Sequence, residues 1–203
     1  MNKKQLQSEL TKKRIADAAR VLFIQKGYKA TSIEDIVEVT GSSKGNIYYH
    51  FKSKEGLFLY LVEEWDHDWE HKWLEKESKY ETTIDKLYGI AEQMVLDDLN
   101  HPLTKAADEF FNNEEKTSDV EDRMAEMVTR HLKFNGKLIR EGMEKGEFKQ
   151  ANVESLAVIL EGLFFGLSQM SRKSSMKEAL ELYQMAVKIF LYGIAARPEE
   201  PER

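Results

Sequence analysis

The chain has no cysteine among its 203 residues. That removes disulfides, thiolate nucleophiles and cysteine zinc sites together. It suits a reducing compartment, so a cytoplasmic location is expected. Proline is scarce, at 3, and long polar tracts are few, which points to an all-α chain with short connections. No apolar signal-peptide core follows the N-terminal lysines, and no apolar run is read as long enough to cross a bilayer, so no membrane partner is expected. Paired nucleophiles and bases, Gly-rich phosphate loops and metal-hydrolase motifs are lacking too, so neither an enzyme nor a cofactor is expected. His67 and His71 are one helical turn apart but have no third ligand in view; two exposed residues on a solvated face explain them, and no metal site is predicted.

What is present is a soluble, globular balance, 41% hydrophobic and 33% charged, with enough residues to bury a core. The net charge of −6 conceals an uneven division. Residues 1–54 hold 11 Lys and Arg against 5 Asp and Glu, whereas residues 55–203 hold 19 against 31. A basic head on an acidic body suggests that the head meets a polyanion and the body does not.

The head contains the most informative stretch, residues 31–54. Ser32 is placed to cap a short helix, with Asp35 favourable to its positive end, and Ile33, Ile36 and Val37 share one face. Gly41 supplies a turn with positive φ. Ser42 or Ser43 then caps a second helix in which Ile47 and Phe51 are the anchors. The rest of that helix, Lys44, Gly45, Asn46, Tyr48, Tyr49 and His50, offers donors, ring faces and a glycine permitting close backbone approach. These are the requirements for lying on a phosphate backbone and reaching base edges in a major groove. Upstream, a helix is predicted from about Thr11 to Lys26, capped by Gly27, after a mobile basic arm over residues 1–9.

This helix–Gly-turn–helix, with the run Tyr48-Tyr49-His50-Phe51-Lys52-Ser53-Lys54-Glu55, resembles the DNA-binding motif of the TetR family of bacterial repressors. The resemblance implies a TetR-like, all-α fold. Residues 1–54 would form the three-helix DNA-binding domain and residues 55–203 a helical ligand-binding and dimerisation domain, with about nine helices in all. It further implies that Ser42, Ser43, Lys44, Gly45, Asn46, Tyr48, Tyr49, His50 and Lys54 contact double-stranded DNA at an inverted-repeat operator.

The body reads as helices near 53–78, 83–99, 103–111, 118–145, 153–171 and 176–195, with residues 197–203 as a loose tail. The helix at 153–171 has more apolar surface than one face needs, and Gly162 and Gly166 lie one turn apart on it. A homodimer is expected there, pairing 153–171 and 176–195 about a two-fold axis. Leu57, Leu61, Trp65, Trp69 and Trp73 recur every four residues on one long helix, which leaves the motif and enters the body. Aromatic faces with carboxylates nearby suit a flat organic cation.

Within the family the body is similar to QacR-type regulators, which are released from DNA by cationic lipophilic drugs and control drug efflux. That similarity assigns ligand contacts to Trp65, Asp66, Trp69, Asp98, His101, Phe111 and His131. Trp65 and Val128 stand where such regulators have acidic pocket residues, leaving the pocket less acidic and more aromatic. The alternative ligand is a neutral lipophilic or fatty-acyl metabolite. Ligand binding is expected to act by displacing the long helix.

Overall fold

The computed structural model describes residues 2–98, 101–112 and 116–194, the side chain of Asp98 aside. Among these every regular element is helical. The first helix, α1, spans Lys3–Lys26. It starts earlier than the apolar pattern implied, because Asn2 and Gln5 form a reciprocal capping box that satisfies the first-turn amides. Residues 3–9 are therefore helical, not an irregular arm. Gly27, at φ +85°, ends α1, its N–H bonding the Phe23 carbonyl.

Next come α2 (Ile33–Thr40) and α3 (Lys44–Phe51). Ser32 and Asp35 cap α2 reciprocally, and Gly41 terminates it in the left-handed region at φ +64°. Ser43 caps α3 by accepting the Asn46 N–H. The three helices share a small core: Ile15, Leu22, Phe23, Ile33, Ile36, Ile47 and Phe51 are buried, and Val37 is half-buried.

A two-residue link, Lys52 and Ser53, leads to α4 (Lys54–Lys76), and a short 3₁₀ turn, Glu77–Lys79, follows it. Ser53 accepts the Gly56 N–H and so caps α4. Lys52 has a positive φ of 68° with ψ −44°, and the Ser53 N–H reaches back to the Phe51 carbonyl at 2.8 Å. That is a γ-turn, an uncommon and strained conformation for a residue with a side chain.

The remaining helices are α5 (Thr83–Asp98), α6 (Thr104–Phe111), α7 (Ser118–Glu144), α8 (Val153–Met170) and α9 (Met176–Ile194). Residues 99, 100 and 195–203, which include the end expected for α5 and the expected tail, lie outside the described residues.

By packing, the chain forms two compact units, Met1–Trp69 with His101–Ala125, and Glu70–Asn100 with Glu126–Arg203. The first unit adds α4 as far as Trp69, α6 and the start of α7 to α1–α3. Its centre is an aromatic cluster in which Phe58 lies 4.9 Å from Phe23 and 5.0 Å from Phe110, and Tyr28 lies 5.1 Å from Phe110, between ring centroids. Helix α6 thus completes the core of the head.

In the second unit α5 packs on α9, which also meets α8. Its core includes Trp73, Leu87, Val95, Ile139, Leu160, Tyr183 and Val187. Glu147, in the turn after α7, accepts the Thr83 N–H at 2.7 Å and the Ile84 N–H at 3.1 Å. A carboxylate there satisfies first-turn amides of α5 and complements the helix dipole.

One expectation needs correction. Helix α8 is long and apolar enough to pass as a membrane span, and only 17% of that stretch is buried within the chain. It carries Glu161, which accepts from Asn135 Nδ2 at 3.0 Å and lies 2.9 Å from His131 Nδ1.

Candidate functional site

Helix α3 is held by one apolar edge. Ile47 is 0% exposed and Phe51 nearly as deep, whereas Tyr48 and Tyr49 are exposed, Tyr49 at 71%. Ser43, Lys44 and Gly45 are exposed as well, and Asn46 and His50 are half-buried. An eight-residue helix that turns two tyrosines, a lysine and an imidazole outward presents a face built for a polar, anionic partner.

Gly45 sharpens this. A Cβ added there would meet only the Ser43 Oγ, at 3.9 Å. Glycine in a helix is less favourable than alanine, by roughly 1 kcal/mol in the interior and by less in the first turn, where Gly45 sits. Nothing inside the protein requires that cost, so the requirement points outward, to a surface that approaches the backbone closely.

Electrostatics orient the face. Lys44 ion-pairs with Glu34 of α2, which raises the lysine and lowers the carboxyl. His50 is held below the ordinary imidazole range by burial, and next by the charge of Lys12, against an opposing pull from Glu9.

Two of the expected DNA contacts are turned inward. Ser42 is buried, and its hydroxyl accepts from Arg14 Nη2 at 3.1 Å. The Lys54 ammonium donates to the Tyr28 and Thr31 carbonyls at 3.1 and 3.0 Å and lies 4.3 Å from the Tyr28 ring centroid. Burial pushes its pKa down, opposed by Glu55 and Glu109.

The expected ligand residues fall in both units, and each group stands by itself. In the first unit Trp65 and His101 stack face to face, 3.8 Å between centroids and 10° apart in plane. The Leu103 N–H points to His101 Nδ1 at 3.3 Å, so Nδ1 acts as an acceptor. Asp66 and Trp69 are half-buried on α4, and Phe111 packs edge-on against Phe110 at 5.3 Å. In the second unit His131 is engaged with Glu161. The side chain of Asp98 lies outside the described residues. On α4, His71 Nδ1 lies 3.5 Å from Glu75 Oε1, one turn on.

With this geometry in place, the similarities to known proteins become specific. Residues 15–61 match the family described as bacterial regulatory proteins, tetR family. Residues 65–196 match the family described as QacR-like protein, C-terminal region. The chain belongs to the TetR family.

Among its relatives, the HTH-type transcriptional regulator QacR of Staphylococcus aureus is 30% identical over 184 residues, covering 91% of this chain and 98% of its own. YfiR of Bacillus subtilis, also an HTH-type regulator, is 28% identical over 151 residues, 71% of this chain and 70% of its own. A solved TetR-family regulator from Pectobacterium atrosepticum superposes with a TM-score of 0.76 at 18% identity, covering 98% of this chain and 100% of that one. The chain is thus a DNA-binding transcriptional regulator with a QacR-like ligand-binding region, and not an enzyme.

Three residues important to this TetR-family head carry no local signal. Arg14 donates to the Thr40 carbonyl at 3.0 Å and to Ser42, pinning the α2–α3 turn onto α1. Arg123, at the start of α7, makes a two-pronged pair with Glu63 of α4 at 3.1 and 2.7 Å. Glu109 of α6 accepts the Lys29 N–H. The partners are 26, 60 and 80 residues apart, beyond the reach of any helical periodicity. Charge complementarity alone is too common a property to pick them out.

Proposed function

We propose that the chain is a homodimeric repressor that reads an inverted-repeat operator with α3 and is released by a lipophilic aromatic ligand, cationic in the first instance. The observation that carries the DNA half is the outward face of α3 together with the unoccupied space around Gly45. Lys44 and Gly45 approach base edges with Ser43 and Asn46 beside them, and Tyr48, Tyr49 and His50 hold phosphates. Ser42 and Lys54 act differently. They position the reader, Ser42 through Arg14 and Lys54 through the α1–α2 connection.

The dimer rests on α8 and α9. Val158, Ile159, Phe165, Met170, Met185, Ile189 and Tyr192 are all more than half exposed in the single chain. Gly162 and Gly166 have nothing within 4 Å of an added Cβ. An apolar face with small residues at its centre fits a second helix pair, and a copy of the same surface closes it isologously. Two α3 helices about 34–36 Å apart would then match successive major grooves.

The ligand half rests on Trp65, Trp69 and His101, with Asp66 alongside, and on the QacR-like match of this region. An aromatic cation can displace the His101 ring from Trp65 and take up the same stacked position. Ligand binding then shifts α4, which is fastened to the head by Lys54 and by Arg20 on Glu64 at 2.6 Å, a carboxylate that Tyr60 of the same helix also holds at 2.8 Å. The drug-efflux type of target gene follows from the same likeness.

The deciding experiment is fluorescence anisotropy on labelled DNA from immediately upstream of the gene, against scrambled DNA, with and without a panel of aromatic cations. Specific binding abolished by a cation is the expected outcome. Specific binding indifferent to every cation would refute the ligand assignment and leave the DNA reading standing. No preference for the upstream DNA would count against autoregulation at that site.

A further inference from the structure

The last two turns of α4 and the middle of α7 enclose an open cleft of about 340 Å³ within the second compact unit. Its apolar part is Trp73, Leu74, Phe134 and Leu138. Trp73 and Leu138 are buried, while Leu74 remains 58% exposed. Its charged part is unlike the rest of the body. Arg130, Lys133 and Lys137 lie along α7 at i, i+3 and i+7, on the stripe that faces α4. Residues 130–140 contain four cations and no acid, in a part of the chain where acids outnumber cations 31 to 19.

The acids in the lining do not cancel this charge. Glu77 and Glu141 both bind the nearly buried Lys86, at 2.9 and 2.8 Å, and Glu141 also binds Lys145 at 2.8 Å. Glu70 is the remaining carboxylate. Lys133 and Lys137 are exposed and make no ion pair among the described residues. The cleft thus has an apolar floor beneath a cationic rim. Its volume lies at the small end of the range for organic ligands, about 300–1,000 Å³, enough for one slender tail.

We propose that the α4–α7 cleft binds an amphipathic organic carboxylate, its tail on Trp73, Leu74 and Phe134 and its headgroup on Lys133 and Lys137. The site shares no residue with the Trp65–His101 stack and takes the opposite charge, so it does not depend on the aromatic-cation reading. A carboxylate between two lysine donors gains charge-assisted hydrogen bonds, and the apolar floor rejects small inorganic anions.

The test is calorimetric titration of the full chain with decanoate, using decanol and decyltrimethylammonium as headgroup controls. Wild type is expected to bind decanoate well and the other two poorly. Lys133→Ala/Lys137→Ala is expected to unfold at the wild-type temperature and to bind decanoate about tenfold more weakly or worse, the loss of roughly one charge-assisted hydrogen bond. Leu74→Asp, on an exposed position, should repel the ligand without touching the lysines. Trp69→Ala should leave decanoate binding intact. Equal binding of decanol and decanoate, full binding by the double-lysine variant, loss of binding in Trp69→Ala alone, or no binding by wild type would each overturn the proposal. Operator binding by the same preparations is read separately, so a failure here leaves the repressor reading untouched, and the reverse.

Discussion

The Glu109 carboxylate of α6 accepts the Lys29 backbone N–H at 2.8 Å and occupies the space that a side chain on Gly27 would need, its Oε1 lying 2.6 Å from a Cβ placed there. With Phe110 packed against both Tyr28 and Phe58, this gives α6 both a polar and an apolar hold on the α1–α2 connection. Glu109→Ala removes the polar hold at a stability cost of about 0.5–1.5 kcal/mol. The expected result is near-normal operator affinity without ligand and a smaller ligand-induced loss, since coupling energies of about 1–3 kcal/mol are within reach of one contact. Operator titrations with and without inducer measure both. Unchanged coupling would take Glu109 out of the transmission.

Gly45→Ala separates fold from recognition. Apart from its own helix backbone and chain neighbours, the added methyl meets nothing closer than the Ser43 Oγ at 3.9 Å, so thermal unfolding should shift slightly upward, by a first-turn helix-propensity gain below about 1 kcal/mol. Operator binding should weaken by about 1–3 kcal/mol, the size of one base contact. A variant that is more stable and binds DNA as before would show that Gly45 has no neighbour in the complex.

Lys54 and Lys44 should fail in different ways. Lys54→Met leaves the Tyr28 and Thr31 carbonyls without their donor, and a destabilisation of about 1–3 kcal/mol is expected in chemical denaturation. The slope of operator affinity against salt should stay the same, because no phosphate contact is lost. Lys44→Ala should unfold like wild type and reduce that slope by about one counterion if the lysine reaches a phosphate, or lower affinity at an unchanged slope if it reads a base. A shallower slope in Lys54→Met would return that residue to the DNA surface.

His50 gives the pH dependence. Its depressed pKa means that the folded head resists protonation more than the unfolded chain does. Its contribution to stability is therefore complete above the ordinary imidazole value of about 6.5 and declines as pH falls through the lower, folded value. A phosphate beside the ring works in the opposite direction, favouring the imidazolium. Operator binding then takes up a proton and tightens on acidification. Between about pH 8 and pH 6 the unfolding temperature should fall slightly while operator affinity rises, and His50→Gln should flatten both trends. Operator affinity that is flat in wild type would place His50 away from phosphate.

Phe165→Glu tests the α8–α9 face. Phe165 is 61% exposed in the single chain, so a charge there costs the isolated fold little. In a dimer it would be buried without a partner, typically a loss of several kcal/mol. Sedimentation should show wild type as a dimer and the variant as a monomer, with operator binding lost alongside. A dimeric variant would move the interface elsewhere.

Much of this organisation is legible in the sequence. Ser32, Ser43 and Ser53 cap the helices they precede, and Gly27 and Gly41 end the helices they follow, because capping depends on neighbours three or four residues away. The Trp65, Trp69 and Trp73 stripe is legible for the same reason. The start of α1 is the exception, hidden because its first turn is polar and exposed and is announced only by Asn2 and Gln5.

What periodicity cannot supply is the use to which a charge is put. Lys54 and Ser42 sit in a run full of DNA-contact residue types, and only tertiary packing turns them inward. Glu147 looks like a turn residue and becomes a cap for a helix that begins 64 residues earlier. The anion-compatible rim on α7 is visible as a row of cations, but its significance depends on Glu77 and Glu141 being taken up by Lys86.

The γ-turn at Lys52 has a consequence for how the reader is aimed. Only Lys52 and Ser53 separate the last residue of α3 from the first of α4, and the turn leaves almost no slack between them. The link therefore behaves as a fixed angular gauge. Inserting or deleting one residue there would rotate the faces of α4 by about 100° against α3. Chain length at this joint, more than its chemistry, sets where the recognition surface points.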